Sequence, residues 1–233
     1  NRPAYEEKTV DESFFIGETL VTNELWYTVR IWAEDNEYIF DNSGSVTNTK
    51  GRDKNFPVRS VSWKNAILWT NALSEMLGLN PVYRINNEII KDVNFDIANI
   101  EQTNNNGFRL PTELEWELAA RYIGPEKPTE VTLDNHAIEI EGLYWTPGNY
   151  ASGAYYAADN IIHGNTATQQ VAWFGGSTSA GDEKEVAQKR ANQLGIFDMS
   201  GNLFEFCFDE WDSNNRVTRG GFFGSQINNV QVS

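Results

Sequence analysis

Apolar residues recur at helical spacing between Ser62 and Leu77, where Trp63, Ala66, Ile67, Leu73, Met76 and Leu77 form the stripe that a core-facing helix needs. Ser62 is placed to cap the start of that helix, and Gly78 to end it in a left-handed conformation. A second helix is predicted from Thr112: with Glu115 it makes a capping box directly after Pro111, and the apolar run that follows stops before Gly124. Alternation predicts strands elsewhere. Phe14–Thr22 reads as a strand and turn, and Tyr83–Ile85 with Glu88–Ile90 as a small hairpin followed by a loop. Phe204, Phe206 and Phe208 alternate with Glu205 and Cys207 as a half-buried strand does. From Gly124 to about Gly195 the chain is irregular, a pattern of long loops anchored by aromatic side chains or bound ions. Two main helices, short strands and much irregular loop make the fold class α+β.

Charge narrows the partners. Thirty-three acidic residues against 18 basic give a net charge of −15, which repels phosphate backbones and anionic headgroups, so nucleic acid and bare membrane are excluded as partners. The expectation is also no transmembrane segment, since no apolar run approaches about 20 residues. Length alone, 233 residues, allows one large domain or two small ones. The lone cysteine, Cys207, rules out an intrachain disulfide and is expected to be a buried, inert thiol within its run of phenylalanines. The start at Asn1 reads as a processed or trimmed form, compatible with export.

Three segments then read together, in order: Phe108–Arg121 (FRLPTELEWELAAR), Ala191–Cys207 (ANQLGIFDMSGNLFEFC) and Arg216–Phe222 (RVTRGGF). They resemble the sulfatase-modifying-factor, or formylglycine-generating-enzyme, family. Weaker agreement extends over Phe14–Trp26 and Pro57–Trp63. The resemblance implies a single domain over residues 14–233 with a C-type-lectin-like core, preceded by a flexible segment 1–13. It also supports a calcium site at Gly201, Asn202, Leu203 and Glu205, where a carboxylate, an amide and two backbone carbonyls supply the oxygen ligands that a hard cation takes. The alternative for Glu205 is an ion pair with Arg121 or Arg219.

The enzymes of the family oxidise a substrate cysteine with two cysteines of their own. By the resemblance those positions fall on Ser225 and Val230, and neither can bind a soft metal or engage a thiol. Cys207 lies upstream of them. His136 and His163 sit in no metal-spacing motif, and no GxSxG, phosphate loop or HExxH is present. The chain is therefore expected not to be an enzyme, the competing expectation being a formylglycine-generating oxidase that uses an unrecognised site.

What remains is a scaffold that displays a recognition surface. Phe222–Ser233 mixes aromatic residues, small residues and amides, a composition suited to adaptable contacts, and its style resembles the variable region of retroelement-diversified family members. By that resemblance Phe222, Phe223, Gly224, Ser225, Gln226 and Asn228 are candidate contacts, with Trp211 and Asp212 extending the surface and Val230 and Val232 as scaffold. The alternative for Phe222 and Phe223 is that they simply pack, since the family often has an aromatic after Gly-Gly. Relatives usually continue beyond this point to a closing strand, so either a tail follows Ser233 or the domain closes differently. The expected ligand is a protein or cell-surface molecule, met at the bacterial surface or outside the cell, with a lipid anchor on the unprocessed chain.

Overall fold

The computed structural model describes residues 9–42, 44, 54–127, 137–154, 161–162, 165–175, 181–212 and 215–232. His136, His163 and most of the segment expected to be flexible lie outside them. The chain divides into two compact units, one of Thr19–Leu110 with Glu183–Gln188, the other of Asn1–Glu18, Pro111–Asp182 and Lys189–Ser233.

The first unit is built on two helices, α1 (Asn23–Glu34) and α2 (Trp63–Met76). The strand expected over Phe14–Thr22 does not form. Thr22 instead caps α1, its hydroxyl accepting from the Leu25 amide, and makes a single bridge to Pro57. The stronger signal was one residue further on, where Trp26, Val29 and Ala33 recur at helical spacing and are all buried. Trp26 stacks on Trp69 of α2 with ring centroids 5.5 Å apart, and the Trp69 indole donates to the Trp26 carbonyl. For α2 both predicted ends hold: Ser62 Oγ accepts from the Asn65 amide, and Gly78 has a φ of +73°.

The predicted hairpin is also present, as β1 (Tyr83–Ile85) and β2 (Glu88–Ile89), turning through Asn86 and Asn87 at positive φ, with β3 (Glu101–Gln102) on the other side of β1. One buried side chain ties this sheet to α2. Asn71 Nδ2 donates to the carbonyls of Tyr83 (2.8 Å) and Ile90 (3.2 Å), while its Oδ1 accepts from the Tyr83 amide (3.1 Å). Asn71→Ala removes these three buried hydrogen bonds at once, and each such loss costs about 1–3 kcal/mol. The variant should lose at least about 3 kcal/mol in urea unfolding, against about 1 kcal/mol for loss of the Thr22 cap in Thr22→Ala.

The second unit holds α3 (Glu113–Arg121), whose capping box forms as predicted: Thr112 Oγ1 accepts from the Glu115 amide and Glu115 Oε2 from the Thr112 amide. Strands β4 (Tyr122–Gly124), β5 (Ile138–Ile140) and β6 (Leu143–Trp145) make a sheet in the order β4-β6-β5. A two-stranded pair, β7 (Ile161–Ile162) and β8 (Asn165–Thr166), leads into the short helix α4 (Ala167–Val171). The ribbon β9 (Glu205–Glu210) and β10 (Arg216–Arg219) is antiparallel, with Arg219 opposite Glu205.

Two apolar clusters fill this unit. Trp116, Ala119 and Ala120 of α3 pack with Ile196, Met199, Cys207, Val217 and Val232, and Ile16 leans on the group. Val171, Phe174 and Val230 pack with several alanines in the other. Trp116 is fully buried, and truncating a residue of that size costs about 3–5 kcal/mol. Mixed helix, short strand and long irregular loop confirm the α+β fold class, with α1 and the short α4 added to the two main helices expected.

Candidate recognition site

The site grows out of three tight turns. In Asp198–Asn202, Asp198, Gly201 and Asn202 have φ near +60° to +77°. A Cβ on Gly201 would stand 2.2 Å from the Trp173 carbonyl oxygen, so glycine alone fits. That closeness lets the Asn202 amide donate to Trp173 O (2.8 Å) and the Gly201 amide to Gly220 O (2.8 Å). The Asn202 carbonyl then accepts from the Phe223 amide at 2.9 Å. The motif over Asp198–Asn202 thus docks directly on the segment expected to carry recognition.

That segment leaves β10 through Gly220 and Gly221, both at positive φ, and a Cβ on Gly221 would lie 2.4 Å from the Asn229 carbonyl. Gly221 and Asn229 are therefore the neck of a closed loop. Ser225 holds its middle: the Phe222 amide donates to Ser225 Oγ (3.0 Å), the Ser225 amide to Phe222 O (2.9 Å), and the Gly175 amide to Ser225 O (2.8 Å). Val230 and Val232 are fully buried anchors, and Arg219 donates to the Val232 carbonyl at 2.8 Å.

The expected contacts separate accordingly. Phe222 and Phe223 are half-buried; Gly224, Gln226 and Asn228 are exposed. Ser225 is 5% exposed and serves the turn, which corrects its expected role as a contact. Trp211 is 72% exposed at the tip of the β9–β10 hairpin, where Asp212 accepts from the Asn215 amide and side chain. The structure adds Phe204, 52% exposed, its ring 5.0 Å from Phe222, which lies 5.2 Å from Phe223. Cys207, expected to be buried, is fully so, whereas Phe204 points out, which the alternation alone does not reveal.

Beneath this surface, Trp116 Nε1 donates to Glu205 Oε1 at 3.0 Å. Neither arginine proposed as a partner for Glu205 takes that role. Arg121 pairs with Glu117, and Arg219, despite facing Glu205 in register, pairs with Glu117 (3.3 Å) and Glu113 (3.7 Å) and lies over the Trp116 ring at 5.0 Å. Burial, joined by the charge of Asp198 and opposed by the Trp116 hydrogen bond, pushes the Glu205 carboxyl up to about 8. A carboxylate held against its preference in this way suits a cation, and a bound one would lower its pKa. Gly201, Asn202 and Leu203 lead directly into Glu205 at the start of β9; among the described residues no group of three or more His, Cys, Asp or Glu gathers around a common point.

The folded state keeps a proton on Glu205 that the unfolded chain releases near its ordinary value of 4.5. That contribution to stability is complete below about pH 4.5 and is lost as pH rises through about 8. In chelator-treated buffer, wild type should weaken between pH 5 and pH 9 by about 2–4 kcal/mol, and Glu205→Gln should flatten that dependence in paired urea titrations.

Ser225 and Val230, where the resemblance puts the family's cysteines, face a common point. A Cβ on Gly221 would be 3.2 Å from Ser225 Oγ and 2.9 Å from Val230 Cγ1. Neither bears sulfur. Cys207 sits in the core cluster of α3, and burial, reinforced by Glu205 and Asp209, pushes its thiol well above the ordinary range. Alkylation by iodoacetamide at pH 8 should therefore proceed at the unfolding rate, rising at least a hundredfold in denaturant, as mass spectrometry would follow.

A fold of short strands and long organised loops, with glycine-locked turns carrying an aromatic surface, defines a protein of the formylglycine-generating-enzyme, C-type-lectin-like type. The chain belongs to the sulfatase-modifying factor enzyme 1-like domain family, which matches residues 1–233. It is 31% identical over 249 aligned positions to the chaperone protein LppX of Paenibacillus barcinonensis, covering 100% of this chain and 78% of that one. Among solved structures it resembles CarF, with a TM-score of 0.68 and 23% identity over 93% of this chain and 77% of CarF. It also resembles Treponema denticola variable protein 1, with a TM-score of 0.57 and 26% identity over 93% of this chain and 75% of that one.

Proposed function

We propose that this chain is a non-catalytic binding module that presents Phe204, Phe222 and Phe223, with Gly224, Gln226 and Asn228 around them, to a protein ligand. The observation that carries the reading is the pairing of exposed rings with a closed and heavily bonded loop. Phe204 is 52% exposed beside Phe222, while Ser225, Val230 and Arg219 fix the backbone behind them. Rigid aromatic side chains on a fixed backbone lose little entropy on binding, which is how such surfaces gain affinity. Trp211 and Asp212 extend the same function at the hairpin tip.

Likeness to Treponema denticola variable protein 1 supports the reading, as does the absence of thiols at residues 225 and 230. The same likeness supports display at the bacterial surface, with a lipid anchor on the unprocessed chain, and sequence diversification of the exposed loop positions. Calcium at Gly201, Asn202, Leu203 and Glu205 would act structurally, stiffening the turn under the surface. The Paenibacillus relative's description as a chaperone favours a second form of the same activity, in which the protein ligand is a folding client.

Binding and catalysis separate cleanly. Wild type should convert no cysteine peptide to aldehyde in copper-supplemented assays, and aldehyde that disappears in Cys207→Ser would overturn the reading. On an array of bacterial surface and secreted proteins, Phe204→Ala/Phe222→Ala should weaken every specific partner at least tenfold while leaving the unfolding free energy in urea within about 1 kcal/mol of wild type. Partner binding that survives the double substitution would place the recognition surface elsewhere.

A further inference from the structure

The aromatic face lies in an unevenly charged part of the molecule. The unit formed by residues 1–18, 111–182 and 189–233 contains 20 acidic and eight basic residues, so it carries −12 of the chain's −15. Nor does the ribbon offer an exposed cation near the rings. Arg216 and Arg219 each have side chains only 11% exposed, held by Glu210 and by Glu113 and Glu117. The exposed polar neighbours, Gln226, Asn228 and Asn229, are amides.

A partner therefore meets ring faces and amide oxygens within a strongly negative field. Phenyl faces attract cations through their quadrupole, and amide oxygens accept from ammonium or guanidinium groups. An acidic segment would meet net repulsion, with both ribbon arginines already paired and Lys189 held over the Trp173 ring, which is a means of exclusion as well as selection. The long stems of Lys and Arg also cover apolar surface while their charge stays in water.

From this complementarity we propose that the Phe204–Phe222–Phe223 face takes a basic, apolar segment of a partner polypeptide, with Lys or Arg side chains over the rings and aliphatic or aromatic residues between them. The inference rests on the binding-module reading and names the chemistry of its partner.

The test uses the full chain and three fluorescent 12-residue peptides with the same apolar residues, whose remaining positions are Lys, Gln or Glu. Anisotropy should show the Lys peptide binding at least tenfold more tightly than the Gln peptide, with the Glu peptide weakest and the preference shrinking as salt rises. Phe204→Ala/Phe222→Ala should remove the binding. Gln226→Lys/Asn228→Lys should weaken the Lys peptide and spare the Gln peptide, a result that misfolding would not give. Equal or tighter ring-dependent binding of the Gln or Glu peptide overturns this inference and leaves the binding module standing. Lys-peptide binding indifferent to both double substitutions overturns it too, as attraction to a negative protein without a site. Ring-dependent binding to none of the three peptides also overturns it. The binding-module reading fails separately, through thiol-dependent aldehyde formation.

Discussion

The approach of Gly201 to the carbonyl of Trp173 is the constraint on which the recognition surface depends. No side chain fits there, since a Cβ would stand 2.2 Å from that oxygen. Because the backbones come so close, Asn202 can bond Trp173 on one side and Phe223 on the other, and Gly201 can bond Gly220. Three stretches distant in sequence are thereby fixed together by main-chain bonds. Such bonds are indifferent to side-chain identity, so the surface residues around them can change while the frame stays.

The same economy appears in the charges beneath the surface. Glu113 and Glu117 draw Arg219 toward α3, where it lies over Trp116 and holds the Val232 carbonyl. Arg219 is thus committed to the loop's far anchor and does not neutralise Glu205 across the ribbon. The indole of Trp116 is then the group that bonds Glu205. A single neutral hydrogen bond offsets only part of the cost of burying a carboxylate, and the raised proton affinity of Glu205 records the remainder.

Local signals in the sequence were legible where they were self-contained. The capping box at Thr112 and Glu115, the cap at Ser62 and the Asn-Asn hairpin turn all rest on neighbours within a few residues, and all are present. Alternation over Phe14–Thr22 predicts a strand, but the helical spacing of Trp26, Val29 and Ala33 just beyond it prevails. The alternation around β9 predicts a half-buried strand without saying which face is covered, and the structure buries Cys207 while leaving Phe204, just before the strand, exposed. Which face a strand buries is decided by what packs on it, here α3, and that information is not local. Ser225 was placed on the surface for the same reason: its three bonds involve Phe222 and Gly175, the latter fifty residues away.

Ser225 and Val230 also show how the loop is held from within. Their side chains converge on Gly221. A serine hydroxyl there accepts from the Phe222 amide and tightens the turn, and a valine fills the cluster with Val171 and Phe174. Both residues favour one fixed loop conformation over chemical reactivity. A reactive centre needs access to substrate, whereas these two side chains are buried at 5% and 0% exposure. Ser225 and Val230 thus support the loop from within, and the rings of Phe204, Phe222 and Phe223 lie outside them.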